Sequence, residues 1–74
     1  MGDETMEKVN STEYAVEINN SNGFVRQLDV FQTYEEAKHF CDEFNSPLDN
    51  EEYLNIIFID YDEFGNEVRF GTVL

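Results

Sequence analysis

Apolar and polar residues alternate from Glu13 onward, with Tyr14, Val16 and Ile18 on one parity and Ala15, Glu17 and Asn19 on the other. Successive side chains of a strand point to opposite faces, so a period of two predicts a half-buried strand. The turn-forming run Asn19-Asn20-Ser21-Asn22-Gly23 follows, and a second alternating stretch extends from Phe24 to Phe31. A two-residue loop at Asn22-Gly23 would set Val16 against Asp29 and Ile18 against Gln27, mixing apolar and polar residues on one face. A three-residue loop, Ser21-Asn22-Gly23 with Gly23 left-handed, pairs Val16 with Leu28 and Tyr14 with Val30, and is the expected one. It puts Arg26 beside Ile18, with its stem over apolar surface and its head at the rim.

From Thr33 the period becomes helical. Thr33-Tyr34-Glu35-Glu36 is a capping-box pattern, with Thr33 as N-cap and Glu36 at the third helical position. Tyr34, Ala37, Phe40, Cys41 and Phe44 form an apolar stripe on a helix over about residues 33 to 45. Asn45-Ser46-Pro47 stops it, and residues 48–52 form an acidic connection. The run 53–61 (YLNIIFIDY) is apolar on both parities, as a central strand is. Asp62 to Asn66 supplies a second turn and residues 67–74 a last strand. A loop of Glu63-Phe64-Gly65, with Gly65 at positive φ, pairs Phe58 with Phe70 and Leu54 with Leu74.

The predicted fold is therefore α+β, with the order β-β-α-β-β. One four-stranded, mainly antiparallel sheet, strand order 2-1-3-4, carries a single helix on one face. Residues 1–11 have no apolar period and are expected to be a mobile acidic tail, leaving residues 12–74 as one small domain. The expected core face holds Tyr14, Val16, Ile18, Phe24, Leu28, Val30, Leu54, Ile56, Phe58, Val68, Phe70 and Leu74. The back face carries Ala15, Val25, Phe31, Ile57, Ile59, Tyr61 and Val73 among Glu17, Gln27, Asp29 and Arg69, with Gly71 opposite Ile57. Ile57, Ile59, Tyr61 and Val73 make it too apolar for a plain solvated surface, and mark it as a candidate interface.

Charge narrows the partners. Seventeen acidic residues against four basic ones in a chain of 74 give a net charge of −13. Such a chain repels nucleic acid and anionic membrane and attracts cationic protein surfaces. The single Cys41 excludes an intramolecular disulfide. No segment reads as a signal peptide or a membrane span, so a cytoplasmic location (the host's, for a viral protein) is expected. Abundant Asn, Phe, Ile and Tyr beside little Ala, Arg and Pro is the bias of AT-rich codons, which points to a low-GC bacterium or to a virus or mobile element infecting one.

Candidate chemistry is sparse. Asp60 to Gly65 has acids at positions one and three and Gly at position six of a calcium loop. Position twelve, however, is Gly71 where a bidentate Glu is required, so the segment reads as a turn. His39 and Cys41, two residues apart on a helix, point to different sides and cannot form a dyad. No phosphate loop, nucleophile elbow or zinc spacing occurs. A non-enzymatic protein without metal or cofactor is expected.

What remains is the acidic set Glu35, Glu36, Asp42, Glu43, Asp49, Glu51, Glu52, Asp60, Asp62, Glu63 and Glu67. One expectation is that these carboxylates bind the basic, nucleic-acid-binding surface of a larger protein as a DNA mimic. A phage or mobile-element inhibitor of a host defence nuclease, of the anti-CRISPR or anti-restriction kind, is such a protein. Duplex DNA carries one charge per roughly 1.7 Å of axis, so a small competitor needs comparable density. The alternative is a structural or regulatory module that self-associates through its apolar back face, as a homodimer, with its acidity serving solubility.

Overall fold

The computed structural model describes residues 9–73. Strands β1 (Ser11–Asn20), β2 (Gly23–Phe31), β3 (Tyr53–Tyr61) and β4 (Glu67–Thr72) form one antiparallel sheet in the order β2-β1-β3-β4, and helix α1 (Tyr34–Glu43) follows β2. This is the predicted α+β arrangement. The most apolar strand, β3, sits inside beside β1, and the two pair without interruption from Ser11–Tyr61 to Asn19–Tyr53. The expected tail over residues 1–11 lies outside the described residues as far as residue 8. Ser11 belongs to β1, and the Asn10 amide donates to the Tyr61 carbonyl at 2.7 Å.

The helix forms where its capping box is written. Thr33 is extended (φ −130°, ψ 155°), its hydroxyl accepts from the Glu36 amide at 3.2 Å, and the Glu36 carboxylate accepts from the Thr33 amide at 3.3 Å. This reciprocal pair satisfies amide groups that the first helical turn leaves open. The helix ends at Glu43 because Phe44 turns extended (φ −70°, ψ 124°). Its apolar stripe then meets the sheet. Ala37, fully buried, lies against Val16 and Ile56, with Tyr14, Leu28, Phe31, Tyr34, Phe40, Cys41, Leu54 and Val73 around them. The small Ala37 side chain leaves room for close approach of helix and sheet. Full burial of Val16 and Ile18 contributes about 2 kcal/mol each.

Register departs from perfect alternation at three bulges. The first hairpin has a two-residue loop, Ser21-Asn22, closed by the Asn20–Gly23 pair, in place of the expected three-residue loop. Val25 and then Leu28 are extra residues in β2, so Val16 faces Asp29 and Tyr14 faces Phe31 instead of Leu28 and Val30. Ile18 does face Arg26, as expected. The second hairpin keeps its three-residue loop, but Val68 is extra in β4, and Phe58 faces Gly71 rather than Phe70. Gly23 (φ 114°) and Gly65 (φ 83°) both lie at positive φ, as the turns demanded.

Each bulge exchanges the faces of the residues beyond it, because side chains alternate with a period of two. Phe24, Val30 and Phe70, expected in the core, are 63%, 36% and 67% exposed. Phe31 and Val73, expected on the back face, pack into the core instead. Gly71 moves with them, from opposite Ile57 to opposite Phe58. The expected Leu54–Leu74 pair lies outside the described residues.

Candidate interaction surfaces

Helix α1 turns its polar side outward and presents Glu35, Glu36, His39, Asp42 and Glu43, all exposed. Asp42 is held by Lys38 one turn earlier at 3.0 Å, and that bond raises the Lys38 pKa. Glu36 also serves the cap. In the connection, Glu52 accepts from the Asp49 amide at 3.1 Å and Glu51 from the Ser21 hydroxyl at 2.8 Å. The second bond fastens the acidic connection to the first hairpin turn. Glu35, Glu36, Asp42 and Glu43 thus stand on the helix, and Asp49, Glu51 and Glu52 on the connection.

The other four carboxylates of the set belong elsewhere. Asp62, Glu63 and Glu67 cluster at the second hairpin, beyond Tyr61, whereas the connection enters β3 at Tyr53. Those two ends of β3 are eight residue steps apart, or roughly 26 Å at about 3.3 Å per residue. The carboxylates of the connection and those of the second hairpin thus lie at opposite ends of β3. Asp62 spends its charge on the turn, accepting from the Phe64 and Asn66 amides at 2.9 Å. The Asn66 amide, joined by that of Phe64, holds its carboxyl below the usual range.

Asp60 leaves the surface altogether. It is 4% exposed, accepts from the Thr12 hydroxyl at 2.7 Å, and pairs with the Arg69 guanidinium at 2.9 Å. The Thr12 hydroxyl, together with Arg69, lowers its pKa against the desolvation that opposes them. Asp60 is a neutralised structural residue, which corrects its place in the partner-binding set. Its oxygens and those of Asp62 are engaged in different bonds, and among the described residues no three His, Cys, Asp or Glu side chains converge as metal ligands.

Beside α1 runs an open groove of about 770 Å³. Phe31, Phe40 and Phe44 line it, successive rings tilted against each other with centroids 5.4 and 6.0 Å apart. Glu35, Glu36, His39 and Glu43 form its helical wall, and Asn45 and Ser46 its end. Sequence periodicity had already placed Phe40 and Phe44 on one helix stripe. Phe31 was missed, because the bulge at Leu28 carries it to this face.

The back face differs in membership from the expected one. Ile57, Ile59 and Tyr61 lie on it, half-buried, while Val73 does not. Phe24, Val30, Tyr53 and Phe70 join them and are exposed. Glu13 and Glu17 stand in the same face, on either side of Ala15. Glu13 accepts from the Tyr61 hydroxyl at 3.2 Å. Burial pushes the Glu17 carboxyl above its ordinary pKa, with a bond from Asn55 acting the other way.

Cys41 lies in the core stripe, and burial raises its thiol pKa, the reverse of what an activated nucleophile needs. His39 is on the exposed wall of the groove, on a different side of the helix. No helix among the described residues is long and apolar enough to cross a membrane. The chain matches no protein-family model, no curated protein and no solved structure.

Proposed function

We propose that this chain is a non-enzymatic acidic binding protein that blocks a cationic surface of a partner protein. The partner surface is a nucleic-acid-binding one, and the chain acts as a phage or mobile-element inhibitor of a host defence nuclease. The observation that carries this reading is the placement of carboxylates on α1 and the connection. The last helical turn holds Asp42 and Glu43 and no base. Acids there oppose the helix dipole, typically by about 0.3–1 kcal/mol each. Acidity serving solubility alone has no reason to sit at that unfavourable end. Asp42 already pairs with Lys38, so a cation bound there relieves Glu43 and the open helical carbonyls.

Two double variants test the reading. Glu35→Lys with Glu43→Lys alters the helix surface, and Glu63→Lys with Glu67→Lys makes the same charge change at the second hairpin. Loss of partner binding with the first pair alone supports the helix surface as the binding site. Equal effects of the two pairs reduce the role of acidity to bulk charge.

A second reading, self-association through the back face, is favoured by the exposure of Phe24, Val30, Tyr53 and Phe70. Exposed contiguous apolar surface of more than a few hundred Å² commonly marks an interaction site.

A further inference from the structure

The groove beside α1 adds an apolar component to a surface so far described only by charge. Its floor is three phenylalanine rings, and none of them is fully buried. Its long wall carries Glu35, Glu36 and Glu43. At its far end the chain leaves the helix through Phe44, Asn45 and Ser46, where the last-turn carbonyls add partial negative charge. Among the described residues no lysine or arginine lines the groove. A volume of about 770 Å³ falls within the usual range for ligand sites.

We propose that this groove receives a short partner segment in which large apolar side chains are flanked by lysines or arginines. The apolar side chains lie on Phe31, Phe40 and Phe44, and the flanking cations meet the glutamates and the helix C-terminus. Charge complementarity selects this occupant. An acidic or neutral apolar segment gains nothing from the wall, and a purely basic one leaves the aromatic floor in water. The proposal rests on the reading of the helix surface as a binding site, and names the chemistry of what it binds.

The test uses two labelled octapeptides of lysine and arginine, one with a central Leu-Phe pair and one with Gly-Gly there. Fluorescence anisotropy against the full chain at 50 mM NaCl measures both affinities. The Leu-Phe peptide should bind about tenfold more tightly or better, as expected for burying at least one large side chain. Backbone amide shifts on binding should centre on Phe31, Phe40 and Phe44. Phe44→Ala should erase most of that advantage while leaving the Gly-Gly peptide's affinity unchanged. Equal affinity of the two peptides overturns the groove and leaves the acidic surface standing. Absence of binding by both overturns the groove and the acidic surface together.

Discussion

Asp60 and Glu17 occupy the same sheet in opposite circumstances. Asp60 is buried beside a hydroxyl and a guanidinium, which favour its charged form. Glu17 is partly desolvated on the apolar back face, which favours its neutral form. An acid whose pKa is lowered by folding stabilises the fold above its unfolded value, near 3.9, and loses that contribution as pH falls through the lower folded value. An acid whose pKa is raised has the reverse sign. The charged form then costs stability at neutral pH, and the cost fades as the carboxyl protonates. Urea unfolding between pH 7 and pH 2.5 should therefore show Asp60→Asn less stable than the wild type at pH 7, with the gap closing below about pH 4. Glu17→Gln should be the more stable protein at pH 7 and lose its advantage by about pH 4. Gaps that do not change with pH would contradict both environments.

At the scale of elements, the helix was legible because two independent signals agreed on it, the capping box at Thr33–Glu36 and the stripe from Tyr34 to Phe44. Strand positions and the outer glycine turns were legible for similar reasons. The faces of β2 and β4 were not. The run Phe24, Val25, Leu28, Val30, Phe31 fits no single parity, and counting by twos cannot show where Val25, Leu28 or Val68 steps out of register. The candidate site inherits the same limit. Its acidic residues could be named from the sequence, but the burial of Asp60 depends on pairing with Arg69 across a bulged hairpin. The groove depends on Phe31 facing the helix. Two identical truncations test the observed faces. Phe31→Ala should cost at least about 2 kcal/mol and Phe24→Ala no more than about 0.5 kcal/mol. The reverse order, with Phe24→Ala the costlier, would instead require the unbulged register, which puts Phe24 in the core and Phe31 on the back face.

For the whole molecule, a charge of −13 governs association in both directions. Salt shortens the Debye length from about 30 Å at 10 mM to about 10 Å at 100 mM, weakening attraction to a basic partner and repulsion between two copies alike. Sedimentation of the chain at high micromolar concentration should show more dimer at 300 mM than at 20 mM NaCl if the back face self-associates. Phe70→Ser should reduce it. A monomer under both conditions removes that interface as a dimer contact. The acidic helix surface predicts the opposite salt dependence for partner capture, so one salt series separates the two. The most direct measurement immobilises the chain, recovers partners retained at 50 mM NaCl, and assays their binding to duplex DNA with wild-type chain or either double-lysine variant added. The wild type and Glu63→Lys/Glu67→Lys should displace the DNA, and Glu35→Lys/Glu43→Lys should not. Partners whose DNA binding is untouched by the wild-type chain would contradict an acidic blocker of a nucleic-acid site.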